Sequence, residues 1–387
     1  MNFGFSDEQD LLRSEARKFL DETCPLEQVR AVGETAEGFS PGLWKQIAEL
    51  GWTGIAIPEE FGGAGLAWVD LVILLQETGR TLFPSPLAST SLAAAAIEAT
   101  GSDAQKQRWL PGLADGTRIG TLALLDDDCP DPAAISLEGR ADGDGYVLTG
   151  EKPFVHDAGT ANLFVVAFRA AAGLALAVVE SDDAGVGGRS LPTLDTTKRM
   201  GTLSLANARV DPDRMLCTPG ATGEGATGEG ATGEGAAADA AIARLLDRGA
   251  IAMTAEMIGA AEEAHRITTQ YAMERIQFDQ PIGRFQGVKH PLAEMYVDIE
   301  SYKSLLYYAA WALDDAPEEV ARSASMAKAY ASEAFARIGI DGVQLHGAVG
   351  YTDEYDIQLY LKRSKWARPA FGDADWHYER VATLGGL

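Results

Sequence analysis

The stretch Arg275-Ile-Gln277-Phe278-Asp-Gln-Pro-Ile-Gly283-Arg-Phe-Gln286 concentrates side chains suited to holding an anion. A guanidinium forks onto phosphate or carboxylate oxygens, and glutamine amides add neutral donors beside it. The stretch follows one apolar helical pattern and precedes another. Its Pro281-x-Gly283 step reads as a stop signal between the two. Arg275 and Gln286 therefore flank a tight helix-to-helix connection, where their side chains can converge on one ligand. A plain helical hairpin has the same spacing, so the rest of the chain must say what the connection serves.

Other reactive groups are thinly spread. Five histidines are dispersed, with no H-E-x-x-H or similar pair, and no metal site is expected. Cys24, Cys129 and Cys217 form no C-x-x-C pair and follow no leader pattern, which fits a reducing cytoplasm. The balance of 32 basic against 57 acidic residues leaves a net charge of −25. That charge argues against nucleic-acid partners, which need basic patches. It also makes each arginine in a motif more informative, because a phosphate-bearing ligand must find local cations on an acidic protein. No apolar run is long enough to cross a membrane.

Several elements must position these groups. Residues 1–118 read as a helical N-terminal domain that opens on the capping pattern Ser6-Asp-Glu-Gln9. Its helices run over Trp68–Gly79, Leu87–Ala99 and Asp103–Leu113, after a glycine-rich loop from Gly51 to Gly65. Residues 119–218 switch to short apolar or alternating runs separated by Asp, Gly and Pro. They read as a β-barrel or sandwich domain with a hairpin turn at Asp142-Gly-Asp-Gly145. Residues 219–238 carry Ala-Thr-Gly-Glu-Gly three times, a linker or loop without a residue able to build a core. Residues 239–387 return to helical periodicity, with later helices near Pro291–Leu313, Pro317–Leu345 and Glu354–Trp366, and read as a four-helix-bundle-like domain. The fold class is α+β, with helices, strands and helices in succession.

Order, length and motifs together resemble the acyl-CoA dehydrogenase family over nearly the whole chain. The matching stretches include Phe5-Ser-Asp-Glu-Gln9, Ile57-Pro-Glu-Glu-Phe-Gly-Gly-Ala-Gly65 and Gln105-Lys-Gln-Arg-Trp-Leu-Pro111. Tyr146-Val-Leu-Thr-Gly-Glu-Lys152, Arg275-x-Gln277-Phe278 with Gln286, and Gln344-Leu-His-Gly347-Ala-Val-Gly350 match further on. The resemblance implies a tetramer that binds FAD and takes a proton and a hydride from an acyl-CoA thioester. Its electrons pass to electron-transfer flavoprotein. It further implies that Arg275, Gln277, Phe278 and Gln286 meet the FAD diphosphate of a neighbouring subunit, and that Gln344 and Gly347 lie on the adenosine side.

The reacting side departs from that pattern. The family's usual catalytic glutamate falls at Phe371, followed by Gly372 and Asp373. Its alternative place, 26 residues before the arginine, falls at Gly249. Asp247, two residues away and turned elsewhere on the helix, remains a candidate base. The family's Thr-Glu-Pro stretch reads Leu124-Leu-Asp-Asp-Asp-Cys129-Pro130, and its Trp-x-Thr reads Phe154-Val-His156. Phe154 can stack on a flavin ring and His156 can offer an N–H to it. The chain is similar to actinobacterial members, implicated in steroid side-chain degradation, that pair two unlike subunits around a shared site. A homotetramer, a heterotetramer with a homologous subunit, a subunit without a base of its own, and another flavoenzyme on this fold all stay open at this point.

Overall fold

The computed structural model describes residues 5–127, 129–219 and 238–387. The Ala-Thr-Gly-Glu-Gly repeat lies outside the described residues. Six helices form the N-terminal part: α1 (Asp7–Thr23), α2 (Leu26–Gly33), α3 (Pro41–Glu49), α4 (Trp68–Arg80), α5 (Leu87–Thr100) and α6 (Asp103–Ala114). The capping box expected at Ser6 is present: its hydroxyl accepts the Gln9 amide, and the Gln9 side chain accepts the Ser6 amide. Helices α4 and α5 are buried along almost their whole length. They consequently show continuous apolar and small residues instead of a stripe.

The middle region is two four-stranded sheets. One has the order β1 (Gly120–Ala123), β4 (Leu163–Ala170), β5 (Gly173–Glu180), β8 (Met215–Cys217). The other has the order β2 (Gly139–Asp142), β3 (Gly145–His156), β7 (Met200–Val210), β6 (Val186–Ser190). The hairpin at 142–145 forms as expected, with Asp142 opposite Gly145 and Gly143 at φ +64°. Strand β6 is not legible in the sequence, because Val186-Gly-Gly-Arg-Ser190 offers little apolar content and its residues are mostly exposed. Ahead of that hairpin the chain makes a short 3-10 turn at Pro132–Ala134 and then enters β2. Proline at the start of that segment favours the turn.

The C-terminal part is built on α7 (Ala238–Glu274), a 37-residue helix, with α8 (Gln286–Asp315), α9 (Val320–His346), α10 (Ile357–Ala367) and α11 (Ala374–Leu384) around it. Between α7 and α8 the chain makes a small ribbon, β9 (Ile276–Gln277) paired with β10 (Gln280–Pro281). Phe278 and Asp279 turn it with φ +52° and +61°, the left-handed pair of a tight two-residue hairpin. Helix α7 is the spine of the molecule: it packs on α4, α5, α8, α9 and α10. Glycines make the closest approaches possible. A methyl carbon on Gly259 would lie 1.8 Å from the Gln76 carbonyl oxygen, and one on Gly79 would lie 2.1 Å from that of Glu256.

Candidate active site

Two separate regions hold the residues singled out above. The first is a cavity of about 330 Å³ between α5, the end of β3, α7 and the loop after α10. Its wall is mainly apolar, and Ser89, Thr121, Phe154, His156, Trp366 and Phe371 bring it most of its polar and aromatic character. Strand β3 reaches it in a distorted conformation. Its pairing with β7 slips between Lys152 and Val155, and Phe154 and Asp157 both adopt φ +54°. Left-handed backbone at two non-glycine residues stores strain of the kind found at functional sites. The result is a half-exposed Phe154 ring and an imidazole turned inward. The His156 ring lies 5.0 Å from both Trp366 and Phe371, centre to centre. Burial, and then the charge of Lys198, push its pKa down to about 3, so it stands in the cavity as neutral imidazole.

The two hydroxyls of the wall are already engaged, whereas the buried indole N–H of Trp366 has no partner among the described residues. Thr121 donates to the His156 carbonyl at 2.7 Å, and Ser89 donates to Asp157 Oδ2 at 2.6 Å. Asp157 is buried behind Ser89. Burial raises its pKa to about 6, opposed by Lys198. Lys198 is itself paired at 2.6 Å with the buried Glu256 of α7, and Arg363 of α10 holds Asp195 at 2.7 Å. These buried ion pairs tie the connection between β6 and β7 to α7 and α10. Sequence reading misses this layer, because each charge is ordinary until its partner, about 60 or more residues away, is known. Asp127 stands exposed at the cavity mouth, accepting the Cys129 amide at 2.8 Å.

Neither position that the family resemblance marks for a base carries a carboxylate, and the two are in contact. Gly249 sits on α7 against the Phe371 ring, and a methyl carbon built on it would lie 2.3 Å from that ring. Asp247 points away. Its buried carboxylate receives two hydrogen bonds from the Arg380 guanidinium, which also donates to Ser325 at 3.1 Å. It is not part of the cavity wall. Burial raises its pKa and Arg380 opposes the rise. Asp247 has the geometry of a helix-to-helix ion pair, not of a base, and the reason is the two-residue offset from Gly249 around α7.

The second region is the ribbon between α7 and α8. Arg275, Gln277, Phe278 and Gln286 are all exposed, and Phe278 meets Phe285 edge-on at 5.9 Å. The ion pairs on the neighbouring helices, Arg266–Glu263 and Lys303–Glu262, leave Arg275 out. The end of α9 joins this region through aromatic packing. Tyr271 stacks on His346 at 4.4 Å and donates to its carbonyl at 3.3 Å, with Tyr355 edge-on to both. That contact holds the end of α9, which carries Gln344 and Gly347, against the last turn of α7. Gly347 has φ +65°, and among the described residues no atom beyond its own chain neighbours lies within 4 Å of where a side chain would begin. An exposed guanidinium, exposed amides and an uncovered glycine backbone suit a flat, anionic nucleotide.

The two regions lie far apart along one helix, the cavity against the N-terminal half of α7 and the ribbon just past its C-terminus. The 26 positions from Gly249 to Arg275 span about 39 Å at a rise of ~1.5 Å per residue.

Comparison with known proteins agrees with this architecture. Residues 6–117 match the N-terminal domain of acyl-CoA dehydrogenases and residues 238–384 match their C-terminal domain. The chain is 30% identical over 368 residues to the acyl-CoA dehydrogenase IpdE2 of Mycolicibacterium smegmatis, covering 95% of both chains. It belongs to the acyl-CoA dehydrogenase family. Among solved structures it resembles a chain of a variant of the Tcur3481–Tcur3483 steroid acyl-CoA dehydrogenase, with a TM-score of 0.86, 30% identity and 98% of each chain covered. It also resembles a chain of the ChsE4–ChsE5 complex from Mycobacterium tuberculosis, with a TM-score of 0.88, 27% identity, and 100% and 99% of the two chains covered. The family is one of FAD-dependent oxidoreductases acting on acyl-CoA thioesters. Among the described residues no helix is long and apolar enough to cross a membrane, and no cluster of potential ligands could hold a metal ion.

Proposed function

We propose that this chain is one subunit of an oligomeric FAD-dependent acyl-CoA dehydrogenase, whose ribbon serves the FAD of a neighbouring subunit while its cavity takes the acyl end of a CoA thioester. The observation that carries this reading is the distance of about 39 Å along α7 between Gly249 and Arg275. Residues so far apart on one rigid helix do not converge on one reacting centre, yet each region has the chemistry of part of such a site. Bound FAD would supply the hydride acceptor for α,β-dehydrogenation. Arg275 would fork onto its diphosphate, with Gln277, Phe278 and Gln286 beside it, and Gln344 and Gly347 would flank the adenosine.

In the cavity, Phe154 would cover an aromatic ring system, and His156, held neutral, would offer its N–H to a polar edge of that ring. The apolar walls would exclude water from the thioester. A second groove, bordered by Pro130, Trp376 and Arg380, shares Leu246 with the cavity, and would offer room toward the surface for the long carrier of an acyl group. Electrons would leave to electron-transfer flavoprotein.

The contact of Phe371 with Gly249 favours a second reading, in which this subunit has no base of its own and a homologous partner carries the complete dehydrogenating site. Purifying the chain alone and recording its flavin spectrum separates the two. Yellow protein bleached by acyl-CoA thioesters supports a self-sufficient enzyme. Colourless protein that acquires FAD and activity only when co-expressed with a homologous subunit supports the partner reading. Colourless, inactive protein in every combination would defeat both.

A further inference from the structure

Phe371 occupies its place by construction, not by default. The loop from Arg368 to Gly372 that carries it is pinned from below by two buried cation-capable side chains. Lys328 of α9 is fully buried and, among the described residues, has no acidic hydrogen-bond partner. Its ammonium donates to the Arg368 carbonyl at 2.9 Å, the Gly372 carbonyl at 2.8 Å and the Ser332 hydroxyl at 2.8 Å. One ammonium thus brackets both ends of the loop. His377 of α11 lies 3.0 Å from the Phe371 carbonyl through Nε2. A carbonyl only accepts, so Nε2 carries the proton. The backbone inside this clamp is left-handed at Phe371 (φ +56°) and at Gly372 (φ +104°). A side chain on Gly372 would begin 2.8 Å from His377 Nε2, so glycine is required there twice over. The outcome is an aromatic ring seated on the bare backbone of Gly249, with its other side forming cavity wall and facing the imidazole of His156.

From this arrangement we infer that Phe371, seated on Gly249, is the residue that sets the size of acyl group the cavity admits, with Lys328 and His377 as its positioning residues. The inference rests on the reading of the cavity as an acyl site. Two features carry it. The ring is the boundary between the cavity and the α7 backbone, so shortening it extends the cavity as far as Gly249. And the notch at Gly249 leaves no slack, so any side chain there drives the ring into the cavity. The two substitutions therefore act in opposite directions on one quantity, which a residue with a merely structural role would not produce.

The test is calorimetric binding of a graded pair of probes, butanoyl-CoA and 3-phenylpropanoyl-CoA, to the full chain and to Phe371→Ala, Gly249→Ala and Lys328→Met, each checked for a native-like melting transition. Phe371→Ala is expected to shift the affinity ratio toward the bulkier probe by about tenfold or more, the scale on which apolar pockets discriminate size. Gly249→Ala is expected to shift it the other way. Lys328→Met, which frees the loop, is expected to compress the ratio toward unity. Should it fail to fold, Lys328→Arg, which keeps a cation under the loop, reports the same shift in smaller measure. Unchanged ratios in folded Phe371→Ala and Gly249→Ala overturn the size gauge while leaving the acyl site standing. Absence of binding of either probe to every form overturns the acyl-site reading and the gauge with it.

Discussion

Two stretches of α7, one inside its N-terminal half and one at its C-terminus, make opposite use of similar material. At Gly249 a glycine lets an aromatic ring press onto the helix, and the surroundings are dry, aromatic and locked by buried ion pairs. At Arg275 the helix stops, the chain reverses through two left-handed residues, and charged and aromatic side chains stand in solvent. Phe371 is held in place by its own chain, whereas Phe278 is 86% exposed and waits for something to cover it. A region covered by its own chain explains its packing within one subunit. An uncovered one points outward, to a ligand or another chain.

The sharpest way to break this contrast is to give the closed end its missing group. Phe371→Glu places a carboxylate on the clamped loop, in an apolar wall that raises its pKa. If the cavity is otherwise a dehydrogenation site, acyl-CoA-dependent flavin bleaching should rise by about 10²- to 10⁴-fold, the usual worth of a positioned base. No gain in a folded, flavin-loaded variant would place the chemistry in another subunit.

At the open end, Arg275→Ala should weaken FAD retention by the assembled oligomer about ten- to a hundredfold, as expected for losing a charge-assisted pair. Flavin content after gel filtration measures it, and unchanged content would remove Arg275 from the cofactor site. The melting temperature of the isolated chain should not move, because Arg275 is exposed and outside the ion pairs that flank it.

Asp247→Asn tests whether the acid near the closed end is structural. It leaves the Arg380 guanidinium, one-fifth exposed, short of its charged partner. The cost should be on the order of 2 kcal/mol, below that of a fully buried pair because Arg380 keeps some water. Thermal or denaturant unfolding reads this. Lost turnover at unchanged stability would instead make Asp247 a base.

The smallest effect concerns the layer under the cavity. Asp157 has a folded pKa of about 6, above its ordinary 3.8, so between pH 4 and pH 6 the folded chain binds more protons at this site than the unfolded one does. Its contribution to stability therefore falls as pH rises through that window. The groups facing it, Ser89, Lys198, Glu256 and Arg363, bear on the same equilibrium. Relative to the natural chain, Asp157→Asn should gain stability from pH 4 to pH 6. A difference that stays flat would show that Asp157 ionises normally.

Much of this is legible in the sequence. Helical periodicity and caps place α4, α5 and α6 to within a residue or two, because each carries strong local signals such as Ser102 ahead of Asp103. Helices α2 and α11 escape such reading. They are short and take part of their stability from neighbours, as in the Arg30–Asp356 pair and the Arg380–Asp247 pair. The ribbon inside the α7–α8 connection reads from sequence as a bare turn, since its left-handed Phe278-Asp279 pair lacks the usual Asn-Gly signature. Lys328 leaves a faint signal: a lysine on a face otherwise made of Ala324, Ala331 and Phe335. What it clamps cannot be guessed from that.

The sequence alone determined the residue types, and so the limits of the chemistry: no carboxylate at 249 or 371, and a guanidinium at 275. It determined the helices, strands and helices as well, because periodicity and turn residues act over a few positions. Tertiary structure decided that Gly249 and Phe371 touch, that Asp247 belongs to Arg380, and that the cavity and the ribbon stand about 39 Å apart along α7. Those are contacts between segments distant in sequence. No local pattern encodes them until the burial of α7 among its neighbours brings the segments together.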